Sequence, residues 1–327
     1  VAKRILIIQT AFIGDVILAT ALIEKLQAFY PDAEIDFLLK KGNERILAGH
    51  PFLKKVLLFD KKNKLKSLFS LISAVRKNKY DVVVNVHRHF SSGLITALSG
   101  AKEKIGFRQN PLSFLFTKRI DHHWDKHETQ RNQELIADLS DTIATKPKLY
   151  PSAEDWKYTT ENFAAPFITI SPATVWATKA LPLERWAALI DSLPTNKRAY
   201  LLGSAADAEK CNRLKNMCQH QSIEVLAGKL SFLKDAALMS QAEMNYVLDS
   251  GPLHICSAMN APVTAVFCST SPKFGFGPLS DISIIVETKE KLSCRPCGAH
   301  GHKKCPEGHF RCANVSFDNQ ILMNKTR

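Results

Sequence analysis

The sequence predicts an α/β protein with two βαβ sheets in tandem, and three observations carry that expectation. Short, β-branched apolar runs alternate with stretches of helical period, the pattern of βαβ units and a parallel sheet. The alternation breaks at a polar, proline-bearing segment near residue 150 and then restarts. At 327 residues, 45% hydrophobic and 23% charged, the chain also exceeds what one typical core absorbs.

In order, residues 5–8 (Ile-Leu-Ile-Ile) read as a strand buried on both faces. Gly14 and Asp15 follow, where a helix over residues 16–29 begins, with Ile17, Leu18, Ala21, Leu22 and Leu26 at helical spacing and Pro31-Asp32 closing it. Residues 35–39, 56–59 and 81–86 are further strands. Residues 61–79 are lysine-rich at both ends around an apolar stripe (Leu65, Leu68, Phe69, Ile72, Val75). That stripe suits a sheet-covering helix or one lying on an anionic membrane. The basic, aromatic stretch 108–124 reads as a long loop and a functional candidate, either acceptor-binding or membrane-facing, and a helix runs from His127 to about Leu139. Residues 145–160, with Pro147 and Pro151, suit a linker between a domain 1–150 and a domain 151–327. Beyond it come strands at 167–170, 199–202, 223–226, 244–248 and 263–267, and helices at 183–193, 205–218, 233–240 and 251–259.

A net charge of +13 and a pI near 9.3 predict attraction to an anion: nucleic acid, a lipid surface or a phosphorylated small molecule. The basic residues are spread without a nucleic-acid-reading motif, so a non-catalytic nucleic-acid binder is the rival reading and no nucleic-acid partner is expected. No apolar run approaches the ~20 residues that span a bilayer. The N-terminus lacks a signal peptide's charged, apolar and cleavage regions, and the cytoplasm is the expected compartment.

Three stretches carry chemistry. Asp15, at the carboxyl end of the first strand, reads either as a helix cap or as a base where open α/β sheets place ligands. His87 and Arg88 follow the 81–86 strand and could face a ligand or only solvent. In residues 171–179 a strand ends in Thr174, Thr178 and Lys179 ahead of a helix, a set of hydroxyls and a cation able to hold a phosphate. Asp249, Ser250, Gly251 and His254 again form a strand end turning into a helix, with Ser250 and Gly251 N–H groups available to a diphosphate and Asp249 a second cap candidate.

Ile13-Gly14-Asp15 with Thr20, Gly203-Ser204-Ala205, Ala227-Gly228-Lys229 and 249–254 (Asp-Ser-Gly-Pro-Leu-His) stand in the order and spacing of the heptosyltransferase family, glycosyltransferase family nine, and the chain resembles that family over nearly its whole length. The resemblance implies the GT-B architecture: two facing Rossmann-like domains, acceptor mostly on the first and sugar nucleotide mostly on the second. It implies inverting transfer of heptose from an ADP-activated donor to the inner core of lipopolysaccharide, without a catalytic metal. Asp15 matches the family's base, Lys179 its phosphate-contacting lysine with Thr174 and Thr178 as hydroxyl partners, and Asp249, Ser250, Gly251 and His254 its nucleotide-binding turn. Gly14, His87, Arg88 and Arg131 are the acceptor-side candidates. The workplace implied is the cytoplasmic face of the inner membrane, with transient membrane contact. Relatives often carry glycine and tryptophan where this chain has Ala173 and Leu181, so another sugar nucleotide or glycan acceptor stays open.

Of eight cysteines, Cys294, Cys297, Cys305 and Cys312 form a C-terminal cluster with His300, His302 and His309. The Cys-x2-Cys half-site could bind structural zinc, although the second pair is not a tight knuckle, and reduced or disulfide-linked cysteines are the other reading, the disulfide form being disfavoured in a cytosol. Cys211, Cys218, Cys256 and Cys268 fall in helix or strand patterns and suit core positions.

Overall fold

The computed structural model describes residues 2–163 and 166–317. It divides into two compact units, Val1–Tyr150 and Pro151–Arg327. The first holds one six-stranded sheet built from β1 (Arg4–Ile8), β2 (Glu34–Lys40), β3 (Leu53–Phe59), β4 (Val82–Asn85), β5 (Glu103–Phe107) and β6 (Lys118–Ile120), ordered β3-β2-β1-β4-β5-β6 and parallel throughout. Ile5 to Ile8 are fully buried, as expected of a central parallel strand covered on both faces. The crossovers include α1 (Ile13–Phe29), α2 (Lys64–Asn78) and α3 (Phe90–Ala97), and α4 (Glu128–Leu135) follows the last strand. α2 packs Leu68, Ile72 and Val75 of the expected stripe into the core, together with Leu71, while Leu65 and Phe69 of that stripe stay exposed, so only part of it covers the sheet.

The second unit repeats the plan. After α5 (Ala153–Asn162), strands β7 (Phe167–Ser171), β8 (Arg198–Leu201), β9 (Ile223–Val225), β10 (Met244–Leu248), β11 (Val263–Phe267) and β12 (Ser283–Glu287) form a parallel sheet ordered β12-β11-β10-β7-β8-β9. Helices α6 (Leu183–Asp191), α7 (Ala208–Met217), α8 (Phe232–Gln241) and α9 (Gly251–Met259) are its crossovers. Both sheets are doubly wound, and in each the strand order reverses beside the first strand: between β1 and β4, and between β7 and β10. Loops leaving those strands are where such sheets open a ligand crevice.

Several expectations are corrected. The segment 145–160 is not all linker: Ser152 caps α5, its hydroxyl accepting the Asp155 N–H while the Asp155 carboxylate accepts the Ser152 N–H, a capping box that polar composition hid. The 108–124 loop contains β6, an edge strand of three residues. Residues 90–97, to which no element was assigned, are helical, and the helix from His127 ends at Leu135 before a short 3-10 turn, Ala137–Leu139. β5 and β12 were missed: β5 (Glu-Lys-Ile-Gly-Phe) carries no continuous apolar run, and in β12 (Ser-Ile-Ile-Val-Glu) the run is only three residues long. Among the described residues no helix is long and apolar enough to cross a membrane. Cys211, Cys256 and Cys268 are buried as expected, and Cys218 is half-buried at the end of α7.

Candidate functional site

In the first unit the site is built from the loops after β1 and β4. Asp15 is not an N-cap. Phe12 occupies that position and Asp15 is the third helical residue, its carboxylate accepting the Phe12 N–H at 3.1 Å. The hydrogen bond satisfies one orphan amide of the helix start. It does not spend the whole carboxylate. Although the residue is partly exposed, its carboxyl is crowded by protein atoms. That desolvation, with the Glu128 charge adding to it, raises the pKa to about 7 against the lowering pull of the Phe12 and Asp15 amides and of Arg88. Gly14 lies beside it in the first turn, half-buried.

The loop after β4 is pinned hard. The Asn110 amide donates to the His87 and His89 carbonyls, both at 3.1 Å. Ser92 Oγ donates to the same two carbonyls at 2.9 and 2.8 Å. Gly93 is needed for this approach, since a Cβ there would lie 2.2 Å from Asn110 Oδ1. His87 is buried, its Nδ1 3.0 Å from Thr10 Oγ1. Burial first, then His89, Lys61 and Arg88, depress its pKa to about 3, so it acts as a neutral hydrogen-bonding group and not a cation. Arg88 is the half-exposed cation, its guanidinium 4.9 Å from the Trp124 ring centroid.

Arg131 lies elsewhere than expected. It is 0% exposed; Nη1 donates to Glu128 Oε2 at 2.9 Å, Nε to His123 O at 2.7 Å and Nη2 to Trp124 O at 2.8 Å. Direct acceptor contact does not fit so buried a guanidinium. Its work is to hold Glu128 and the 123–124 backbone, and thereby Trp124, whose ring is 50% exposed. Arg131→Met is expected to cost about 3–5 kcal/mol by leaving the buried Glu128 charge unpaired. Urea titration checks this, and a loss under 1 kcal/mol would contradict it. Trp124 ends the stretch that the sequence offered as a functional loop, whereas Glu128 is a candidate site residue that sequence reasoning passed over. Glu128 sat inside the stretch taken only as a helix start, and nothing local marks it as Asp15's electrostatic neighbour.

In the second unit the loops after β7 and β10 meet. Lys179 Nζ pairs with Asp249 Oδ2 at 2.7 Å and also donates to the Asp249 carbonyl at 3.3 Å. Thr270 Oγ1 donates to the same carboxylate oxygen at 2.7 Å. Asp249 is therefore no cap; Ser250 is the N-cap of α9, and Gly251 and Pro252 open its first turn, the kind of helix start whose early N–H groups lack intrahelical acceptors and suit an anion. His254 is buried in that turn, edge-on to Phe276 at 6.2 Å. Thr174 stands half-exposed in the loop after β7. Thr178 departs from expectation: it is 2% exposed, and its hydroxyl is bonded to His302 N at 2.7 Å, His302 O at 3.2 Å and Ser269 Oγ at 3.0 Å. It is turned into the protein and not toward a phosphate.

Cys294, Cys297, Cys305 and Cys312 are all free thiols. Among the described residues no group of three His, Cys, Asp or Glu side chains is placed to hold a metal ion, although the four thiols are near neighbours: burial first, then Cys297, Cys305 and Cys294, push the Cys312 thiol up.

Solved structures share this architecture. E. coli ADP-heptose LPS heptosyltransferase II superposes with a TM-score of 0.76 at 23% identity, covering 95% of this chain and 98% of that one. E. coli heptosyltransferase WaaC with ADP-2-deoxy-2-fluoro heptose does so at 0.71 and 21%, covering 86% and 92%. By fold, then, this is a GT-B protein. In sequence it is 29% identical to lipopolysaccharide heptosyltransferase 3 of Escherichia coli (strain K12) over 80% of this chain and 81% of the relative. The model of glycosyltransferase family 9 (heptosyltransferase) matches residues 68–309, and the chain belongs to that family.

Proposed function

We propose that the protein transfers heptose, with inversion, from an ADP-activated donor to the inner core of lipopolysaccharide, with Asp15 as general base. One observation carries the reading: a carboxyl at the switch point of the first sheet whose pKa lies near 7, where a base both holds its proton-free form and drives proton transfer at working pH. The acceptor hydroxyl gives its proton to Asp15 as its oxygen attacks the anomeric carbon, and the bond from that carbon to the diphosphate breaks. The charge arriving on the leaving diphosphate is met by Lys179 and the Ser250–Gly251 amides. Because these groups supply positive charge themselves, the proposed transfer calls for no catalytic metal. Lys179 is held for this by Asp249. Arg88 suits acceptor carboxylates or phosphates, and the half-exposed Trp124 ring suits a sugar face. Support from relatives is of the same kind: the E. coli WaaC structure was solved with an ADP-heptose analogue. Work at the inner face of the inner membrane, with transient contact through basic surfaces, belongs to the same proposal.

The test is a screen of ADP- and other nucleotide-sugars against lipid A-Kdo and elongated core acceptors, read by mass spectrometry. Product from ADP-heptose is expected; product only from another sugar nucleotide would replace the donor assignment.

The pH profile follows from the same geometry. The base must be ionised, so kcat/KM is expected to rise with pH through a limb near 7. Since the folded pKa is raised, ionisation opposes folding: the stability linked to Asp15 is full below its unfolded pKa and is lost as pH rises through about 7. Glu128→Gln removes a charge that holds the pKa up, so the activity limb should move to lower pH. A limb that stays put in that variant means Glu128 does not tune the base.

A further inference from the structure

We propose that the cysteine-bearing segment, residues 294–312, is a strap that positions Lys179, and that Gly301 is the residue through which it acts. The proposal rests on the donor reading of Lys179 given above. The strap is anchored at both ends. At one, the Arg295 guanidinium caps the end of β11, donating to Cys268 O at 2.7 Å and Thr270 O at 2.8 Å and pairing with Glu287. The Cys297 N–H donates to Ser269 O at 2.8 Å beside it. At the other end Cys312, Ala313 and Val315 are buried in the core of the second unit.

Between the anchors the strap lies on the phosphate loop. Thr178 N donates to His302 O at 3.1 Å and His302 N donates back to Thr178 Oγ1 at 2.7 Å. With Ser269 Oγ also donating at 3.0 Å, the Thr178 hydroxyl is fully used. Gly301 is pressed into this junction at φ +71. A Cβ there would lie 2.8 Å from Thr178 Oγ1, 3.1 Å from Ser269 Oγ and 3.3 Å from Lys179 Cγ. Lys179 is thus held at its ammonium by Asp249, and its stem occupies space that a side chain at residue 301 would need. A methyl group at 301 has to displace the hydroxyl or the lysine stem, and roughly 1 Å of misplacement at a working group can cost up to ~100-fold.

Two other glycines of the strap make the comparison clean. Gly298 and Gly308 have the same backbone strain, φ +73 in each, but nothing lies within 4 Å of their Cβ positions. In the full chain, Gly301→Ala is expected to weaken ADP-sugar binding by at least about tenfold and to lower kcat. Gly298→Ala and Gly308→Ala should lose similar thermal stability but bind donor as wild type does. Equal donor affinity in all three variants overturns the proposal. Should Gly301→Ala not fold, Arg295→Gln, which frees the strap's anchor at Cys268 O and Thr270 O while leaving residues 301 and 302 unchanged, is expected to weaken donor binding, and wild-type affinity there overturns the proposal equally. A donor-free measurement separates the strap from the donor reading. After reductive 13C-methylation, the NMR signal assigned to Lys179 by its loss in Lys179→Met should shift in Gly301→Ala and not in Gly308→Ala. If wild type binds no ADP-sugar while that signal shifts, the donor reading fails and the strap stands; if the signal does not shift, the strap fails.

Discussion

Asp15→Asn is expected to lower kcat by roughly 10²–10⁴-fold, the range of a general base, while leaving donor affinity and fold intact. Asparagine keeps an acceptor for the Phe12 N–H 3.1 Å away, so the first turn of α1 retains its hydrogen bond, and what is lost is the ability to take a proton. Stability should hold or rise above pH 7, because a carboxylate that resists ionisation there has been replaced by a neutral group. Initial rates with ADP-heptose and an inner-core acceptor, paired with calorimetric donor binding, measure both sides. Turnover close to wild type would reduce Asp15 to its helix-terminal role.

Lys179→Met should raise the donor Kd at least about tenfold and lower kcat by ~10²–10³-fold, the cost of losing a preorganised donor to developing negative charge. It has a second consequence. The side chains of the Lys179–Asp249 pair are nearly buried, so removing the lysine strands the Asp249 carboxylate with Thr270 as its partner, and about 3–5 kcal/mol of stability should go with it. The double variant Lys179→Met with Asp249→Asn removes the stranded charge and should regain most of that stability without regaining donor affinity. Recovery of both together would mean that the pair serves folding and not the phosphates.

How much of this was legible beforehand follows from which interactions are local. The tandem βαβ plan was readable because period and strand length are properties of contiguous residues, as residues 5–8 and 244–248 show. So was the placing of Asp15, Lys179 and Asp249 in segments that follow strands, since apolar runs at residues 5–8, 167–170 and 244–248 precede them, Asp249 directly and the other two across a short loop. The short edge strand β6 and the capped helix α5 were not, because three residues on a sheet edge and a polar capping box carry little hydrophobic signal.

What the chain order and residue types determined by themselves is the family, the two doubly wound sheets and the residues proposed as base and phosphate cation. Tertiary structure decided their state. It brought Glu128 of α4 near Asp15 and closed the strap onto Thr178, contacts between positions 113 and 124 residues apart in the chain. It also turned Arg131 and Thr178 from ligand candidates into buried scaffold. The physical reason is that desolvation and charge coupling depend on distance through space, which a sequence pattern records only between near neighbours. Asp15 could be named from the string of residues; its pKa near 7 could not.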